Sequence, residues 1–384
     1  MYSTSSDLSL VPKNKMALEG LGLFGKGGEL FMAAFRGDLE NVQRLVREGA
    51  DIDYEGWNGK TPLSVASSMG PSIRYYNVAK FLVENGANVN SSDPDGNTPI
   101  AVAAQQCCYE VVQLLVNNGA DVNACIIKTG DSPVNRAAGR GHIDVVQFLV
   151  QNGADITISN LKGITPLGSA AAMGHLTVVK LLMENGGDIN TCSKNGKSPL
   201  SAAAERGHFH VVQFLLQNGA NVNISDENGN TSVSLAASNG HSNVVKFLVQ
   251  NGAKINISNK NGESPATLAA QNDYFDVCCM LIFECGAKLE TSVLNKYGAD
   301  LVARAVADDN FNGVKSFLEK GVGINDLAIY NACKNGNIKI VQVLVEHGAD
   351  ITTEGCLTIA IELYNQEVIL ALINAGADIN LVCT

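Results

Sequence analysis

The chain has 384 residues, of which 46% are hydrophobic and 17% charged, a composition typical of a folded protein with a weakly charged surface. The formal net charge of −11 excludes the basic stripe needed for nucleic-acid binding, and no apolar run reaches the roughly 18 residues that cross a bilayer. Ten cysteines without a C-x-x-C motif are too few for a disulfide scaffold, so we expect a cytoplasmic or nuclear protein with reduced thiols.

The first 28 residues contain no repeat and no basic segment followed by an apolar one, so they predict a flexible N-terminal tail without a secretory signal. The glycine-rich stretch 20–28 lacks the G-K-[ST] ending of a phosphate-binding loop, which favours a tail over a nucleotide site. The first recognisable helix spans 28–49 and is rich in charged residues. This composition suits the solvated cap that an end repeat requires.

From residue 29 onward the sequence repeats itself. A Gly-His pair recurs every 33 residues, at His142, His175, His208 and His241. A Thr-Pro or Ser-Pro pair recurs with nearly the same period, and so does an N-G-A-D-like segment. The Pro pairs lie at Thr61-Pro62, Thr98-Pro99, Ser132-Pro133, Thr165-Pro166, Ser198-Pro199 and Ser264-Pro265. Three signals with one period indicate a repeat architecture.

Each repeat has the signals of two short helices and a turn. Thr or Ser can cap the first helix, and the following Pro suits its first position. A run of small Ala residues allows close helix contact, Gly permits a tight turn, and VVQFLV-type segments give the second helix one apolar stripe. Asn-Gly or Asp-Gly pairs predict a hairpin finger between repeats.

This pattern resembles the ankyrin repeat family, and one unit reads TPLGSAAAMGHLTVVKLLMENGGDINTCSKNG over 165–196. The resemblance implies an all-α solenoid of about eleven helix-turn-helix units with β-hairpin fingers, whose concave side is lined by fingers and first helices. It covers 29–384. We expect regular units over 29–290 and degenerate, finger-trimmed units over 291–384, so partner binding is expected mainly before about residue 290.

Two departures from the pattern are informative. Cys107 and Asp273 replace the turn glycine, which predicts strained or reshaped turns. The first full repeat also has four extra residues in its turn, and insertions of this kind often map to a binding face. Arg74, Tyr75 and Tyr76 are therefore candidate contacts, unless one tyrosine covers the neighbouring helix instead.

The sequence offers no catalytic constellation. It contains neither a G-x-S-x-G nor an H-E-x-x-H motif. Histidines one repeat apart lie on the order of 10 Å from each other, whereas zinc needs nitrogens at about 2.0–2.1 Å, so we expect turn histidines and no metal site. We predict no enzymatic activity and no cofactor.

The candidate partner-facing residues are the finger tips and the ends of the first helices, carried over position by position from the resemblance. Trp57 is the most notable, because the only tryptophan is predicted to project into water unless it packs on a neighbouring finger. The other tip residues are Pro94, Asp95, Lys128, Leu161, Lys194, Glu227 and Lys260. The helix-end residues are Met69, Gln105, Gln106, Arg140, Met173, Glu205 and Arg206.

The favoured function is a monomeric, non-catalytic scaffold that binds one or more partner proteins, without nucleic-acid binding or membrane insertion. Alternatives are a host-directed effector of an intracellular bacterium, an asparagine hydroxylation substrate, and an enzyme or toxin with an unrecognised site. The hydroxylation alternative follows from the resemblance and concerns Asn90, Asn123, Asn190, Asn223, Asn256 and Asn380.

Overall fold

The computed structural model describes residues 25–351 and 355–377, and every regular element in these two ranges is helical. Short helices follow one another in pairs. Contacts join the helices within a pair, such as Gly25–Arg36 with Leu39–Arg47, and neighbouring pairs within one compact block, such as Gly25–Arg36 with Pro62–Ser67. The β pairing in these ranges amounts to one isolated antiparallel bridge, between Ser225 and Thr231. The predicted all-helical array of helix pairs is therefore confirmed, while the loops between pairs are closed turns rather than pairs of strands.

The chain divides into two compact blocks, an N-terminal block of Met1–Pro199 and a C-terminal block of Leu200–Thr384. The first helix begins at Gly25, three residues before its predicted start at residue 28. The prediction of one helix over 28–49 is wrong, because Gly37 with φ 68° and the Asp38 cap divide this segment into two helices. The rest of the predicted tail lies outside the described residues. The helices of the N-terminal block are α1 (Gly25–Arg36), α2 (Leu39–Arg47), α3 (Pro62–Ser67), α4 (Ile73–Glu84), α5 (Pro99–Gln105), α6 (Tyr109–Asn117), α7 (Pro133–Arg140), α8 (Ile143–Gln151), α9 (Pro166–Ala172) and α10 (Leu176–Glu184), with a 3₁₀ turn at Trp57–Gly59.

The next helix, α11, starts at the block boundary. Throughout the chain the odd-numbered helix is the first helix of its pair. The remaining helices are α11 (Pro199–Glu205), α12 (Phe209–Gln217), α13 (Ser232–Ser238), α14 (Ser242–Gln250), α15 (Pro265–Gln271), α16 (Phe275–Phe283), α17 (Thr291–Ala307), α18 (Phe311–Glu319), α19 (Asp326–Asn335), α20 (Ile338–Glu346), α21 (Cys356–Glu362) and α22 (Gln366–Asn374).

The first helices begin where the Thr-Pro and Ser-Pro pairs predict. The hydroxyl oxygen of Thr98 accepts a hydrogen bond from the Ala101 N–H, and Pro99 occupies the first helical position, where its missing N–H costs nothing. The same side-chain cap is formed by Thr61, Ser132, Thr165 and Ser264. At the equivalent position Thr231 is followed by Ser232 instead of proline, and the Thr231 N–H donates to the Ser234 hydroxyl at 2.8 Å.

The core of each block consists of the residues that the repeat pattern selects. In the first helices the small pair Ala137 and Ala138 is fully buried, which lets neighbouring first helices approach closely. In the second helices the apolar residues at i, i+1 and i+4, such as Val145, Val146 and Leu149, are also fully buried. Each pair therefore covers the apolar face of its neighbours within a block, as expected for a repeat protein.

The turn between the two helices of a pair needs a residue with positive φ. Gly141 takes φ 78° and Gly174 takes φ 79° at this position. Cys107 and Asp273 stand at the same position with φ 59° and φ 64°, so the predicted strain at these two turns is present. A left-handed conformation costs a non-glycine residue about 1–2 kcal/mol.

We expect Cys107→Gly to raise the free energy of unfolding by about 0.5–1 kcal/mol, because glycine relieves the left-handed strain at a cost in chain entropy. The reciprocal change Gly141→Cys should lower it, since an added Cβ would lie 2.5 Å from the His175 ring at φ 78°. Urea denaturation of both variants measures the difference. A loss of stability in Cys107→Gly would contradict the assignment of strain to this turn.

The connections shorten after the regular pairs. The segment between α8 and α9 covers residues 152–165, whereas that between α18 and α19 covers only 320–325. Helix α17, with 17 residues, is also longer than the first helices before it. The connection between α18 and α19 is therefore much shorter than that between α8 and α9, while the division into regular units over 29–290 and finger-trimmed units over 291–384 stays a prediction.

Candidate functional site

The tips of successive loops stack on one another in the N-terminal block. The Lys128 N–H donates to the Asp95 carbonyl at 3.1 Å, and the Leu161 N–H donates to the Thr129 carbonyl at 2.9 Å. The Lys194 N–H continues the series by donating to the Lys162 carbonyl at 2.9 Å. These bonds satisfy backbone groups at exposed turns and fix each tip relative to the next.

Glycine makes this close stacking possible. Gly130 has φ 73°, and a Cβ on it would lie 2.6 Å from the backbone nitrogen of Leu161. Gly163 has φ 74°, and its Cβ would lie 2.7 Å from the backbone nitrogen of Lys194. Thr129 and Lys162 precede these two glycines, so the Asn-Gly and Asp-Gly signal of the sequence did not mark these contacts.

Three apolar side chains occupy equivalent places on consecutive tips, and we call Pro94, Ile127 and Leu161 the tip row. Ile127 is 72% exposed and Leu161 is 55% exposed, although both side chains are held by a stacked backbone. Exposed apolar side chains grouped on a rigid surface are typical of interaction sites. The tip row is therefore the strongest candidate contact surface of the N-terminal block.

Charged side chains flank the tip row. Asp95, Lys128 and Lys194 are exposed, as the sequence predicted for tip positions. The Lys128 ammonium lies 3.4 Å from the Asp95 carboxylate, an ion pair across two tips. Both partners are exposed, so this pair contributes little to stability and its groups are accessible to a partner.

Sequence reasoning missed Ile127. The loop between α6 and α7, residues 118–132, is one residue longer than the loops before and after it. Aligning this loop with the others at Gly130 placed Lys128 at the tip. The sequence signal for an exposed Ile127 was the adjacent pair Ile126-Ile127, because the core needs only one isoleucine at this position. Ile126 is 1% exposed and fills the core, which leaves Ile127 in solvent.

The predicted helix-end residues divide into accessible and engaged ones. Gln106 and Arg140 are exposed, and Met173 is 39% exposed. Met69 is half-buried. Gln105 already has two partners within the fold: its carbonyl lies 3.0 Å from the His142 Nε2, and its side-chain oxygen accepts from Arg136.

Trp57 does not project into water. It is half-buried and packs edge-on against two rings of α1, with centroid distances of 5.3 Å to Phe31 and 5.5 Å to Phe35. The expectation of an exposed tryptophan is therefore wrong, and the alternative of packing on a neighbouring finger is replaced by packing on a helix. The physical reason is the 3₁₀ turn at Trp57–Gly59, which turns the ring toward the first helix pair.

The candidate contact residues of the predicted inserted turn lie in the first turn of α4 rather than in a loop. Tyr75 is only 6% exposed, and its hydroxyl accepts from the Arg74 guanidinium at 2.6 Å. The Arg74 guanidinium carbon lies 4.5 Å from the centre of the same ring. Burial removes Tyr75 from the set of contact residues, as the alternative of a covering tyrosine predicted, while Arg74 is exposed and Tyr76 is half-buried.

The C-terminal block has a shorter version of the stacked tips. The Lys260 N–H donates to the Asn228 carbonyl at 2.9 Å, and Lys260 and Glu227 are both exposed. Arg206 is exposed, whereas Glu205 is half-buried and its carbonyl lies 3.1 Å from the His241 Nε2. The predicted tip and helix-end residues of this block are thus polar, in contrast to the apolar tip row.

The asparagines of the hydroxylation alternative connect neighbouring repeats. The Asn90 amide donates to the Gly119 carbonyl at 3.0 Å, and its oxygen accepts from the Asp121 N–H at 2.9 Å. Asn123 forms the same two bonds, to the Gly153 carbonyl and from the Asp155 N–H. These amides therefore have a structural role, and Asn380 lies outside the described residues.

Several titratable side chains in the described ranges, Cys108 and Cys278 among them, are buried in the fold. No group of three or more His, Cys, Asp or Glu side chains in these ranges could hold a metal ion. Burial lowers the pKa of His142, which favours its neutral form beside the Gln105 carbonyl. Burial raises the pKa of Cys108 to about 11 and that of Cys278 to about 12, so both are protonated thiols at neutral pH.

A sequence model described as ankyrin repeats in three copies matches residues 30–126, 134–226, 221–292 and 302–383, which together cover most of the chain. A curated relative is the protein named putative E3 ubiquitin-protein ligase XBAT35 of Arabidopsis thaliana. It is 36% identical over 66 residues, a match that covers 17% of this chain and 14% of that relative. Within the described residues, no helix combines the length and apolar character needed to cross a membrane.

Proposed function

Because the chain belongs to the ankyrin repeat family, we propose that it is a non-catalytic scaffold that binds partner proteins through its loop tips and the exposed ends of its first helices. The observation that carries this proposal is the tip row, in which exposed apolar side chains lie on tips joined by backbone hydrogen bonds. Such a surface is formed before the partner arrives, so binding loses little conformational entropy.

The tip surface also supports a proposal about the partner's contact chemistry. Ile127 and Leu161 offer apolar area, and the lysines beside them offer charge at the rim. Interfaces commonly have this arrangement of an apolar centre with a polar rim. We therefore expect the tip row of the N-terminal block to contribute apolar contacts and the lysines beside it to contribute polar contacts at the rim.

The plant relative supports only the general class of function. Its name describes a putative E3 ubiquitin-protein ligase, but the matched segment is a small part of that protein. We propose that the shared segment acts as an interaction module in both chains and transfer no ligase activity. The acidic net charge of −11 disfavours nucleic acid as a partner.

Photo-crosslinking tests the proposed function. We expect a benzoyl-phenylalanine introduced in place of Leu161 to capture a discrete partner protein in cells of the source organism. The same residue in place of Leu327 is the control, because Leu327 is 56% exposed but lies beyond the long loops. Mass spectrometry of the adducts gives the readout. Equal capture of the same proteins at both positions would contradict the proposed surface.

A further inference from the structure

A second surface lies on the second helices of the N-terminal block. Helices α6 and α8 enclose an open notch with a volume of about 460 Å³. None of its residues belongs to the tip row or to the predicted helix-end residues. The notch is lined by Tyr109, Glu110, Asp144, Gln147, Phe148 and Gln151.

Two aromatic rings form the apolar part of the notch. The Tyr109 and Phe148 rings pack edge to face, with centroids 5.7 Å apart and an interplanar angle of 75°. The Gln113 amide donates to the Tyr109 hydroxyl at 3.0 Å, which holds the ring in place. An edge-to-face pair leaves ring faces that the partner ring does not cover, and ring faces attract cations.

Two carboxylates give the notch its charge. Glu110 and Asp144 are both exposed, and each is the second residue of its helix. Burial is the main cause of the raised pKa of the Cys107 thiol, and the negative charges of Asp144 and Glu110 raise that pKa further. The two carboxylates thus act on the same small region beside the aromatic pair.

The same aromatic pair occurs without carboxylates in the C-terminal block. The Phe209 and Phe247 rings pack with centroids 5.4 Å apart and an interplanar angle of 70°. His210 and Asn243 stand at the helix positions that Glu110 and Asp144 occupy in the notch. The ring pair therefore forms without acidic residues beside it, which leaves the acidic residues of the notch available for a ligand.

We propose that the notch binds an arginine side chain of a partner protein. A guanidinium group stacks on an aromatic face and donates several hydrogen bonds in a plane, so it can use a ring and a carboxylate together. A lysine ammonium is a compact point charge without this planar donor set. The notch would give the protein a contact site separate from the tip row, and its failure would leave the proposed tip surface unaffected.

An NMR titration tests the proposal. We expect the peptide acetyl-Gly-Arg-Gly-amide to cause saturable shifts at the backbone amides of Glu110, Asp144 and Gln147 in the full chain. The double variant E110Q/D144N and the variant Phe148→Leu should each weaken binding at least fivefold. The matched control Phe247→Leu, which changes the equivalent ring without carboxylates, should leave the affinity unchanged.

Two further peptides sharpen the test. The norleucine analogue acetyl-Gly-Nle-Gly-amide should cause no saturable shift at these amides, and the lysine analogue should bind at least twofold more weakly. Equal binding by the norleucine peptide, or an unchanged affinity in E110Q/D144N, would overturn the cation site. Equal binding by the lysine peptide would overturn the assignment to arginine.

Discussion

Replacing Gly130 with alanine is expected to lower the free energy of unfolding by about 3 kcal/mol or more, through two separate penalties. Gly130 has φ 73°, so any side chain there adopts a left-handed conformation that costs about 1–2 kcal/mol. The added Cβ would also lie 2.6 Å from the backbone nitrogen of Leu161. A backbone atom cannot rotate away, so the stacked tips must separate and the Leu161–Thr129 hydrogen bond is lost.

Gly153→Ala provides the matched control for this prediction. Gly153 has φ 86°, but a Cβ on it would meet no atom within 4 Å. We therefore expect only the conformational penalty of about 1–2 kcal/mol. The urea midpoints of the two variants and of the parent chain measure the difference, and equal losses would show that the tips are not stacked in solution.

The sequence could predict the helix pairs because their signals are local. A hydroxyl cap such as Thr98, the following Pro99 and the turn glycine Gly141 act within a few residues and need no knowledge of distant contacts. The apolar stripe of the second helix is equally readable, since Val145, Val146 and Leu149 recur one repeat later. These features decide the fold of each pair.

Trp57 and Tyr75 could not be placed from the sequence, because their burial depends on neighbours that the repeat pattern does not specify. Trp57 packs on Phe31 and Phe35, which stand in the less regular first helix pair. Tyr75 is buried by the path of a four-residue insertion that has no counterpart in the other repeats. A position in a repeat predicts exposure only where the neighbouring repeats are regular too.

The tip row was predictable in part. Pro94 and Leu161 follow from their positions in the repeat, whereas Ile127 was hidden by the extra residue in its loop. The notch between α6 and α8 was missed altogether, since its rings and carboxylates come from two repeats and carry no shared motif. Contacts between side chains of neighbouring repeats are therefore the part of a binding surface that requires the structure.

The double variant I127D/L161D is expected to weaken binding of the captured partner by at least about 30-fold, which corresponds to about 2 kcal/mol. Each change puts a carboxylate where an apolar side chain is 72% or 55% exposed on a fixed tip. Burial of that charge in an interface is costly, while the free protein keeps the side chain in water and stays folded. Circular dichroism and the urea midpoint check the fold of the variant.

The tip row is the proposed partner-binding surface, and its most direct test is the dissociation constant of the purified partner for three proteins. These are the parent chain, Leu161→Asp and Leu327→Asp, the last with the same change at a leucine that is 56% exposed. We predict a loss of at least tenfold for Leu161→Asp and a change below twofold for Leu327→Asp. An unchanged dissociation constant for Leu161→Asp, or an equal loss in both variants, would contradict the account.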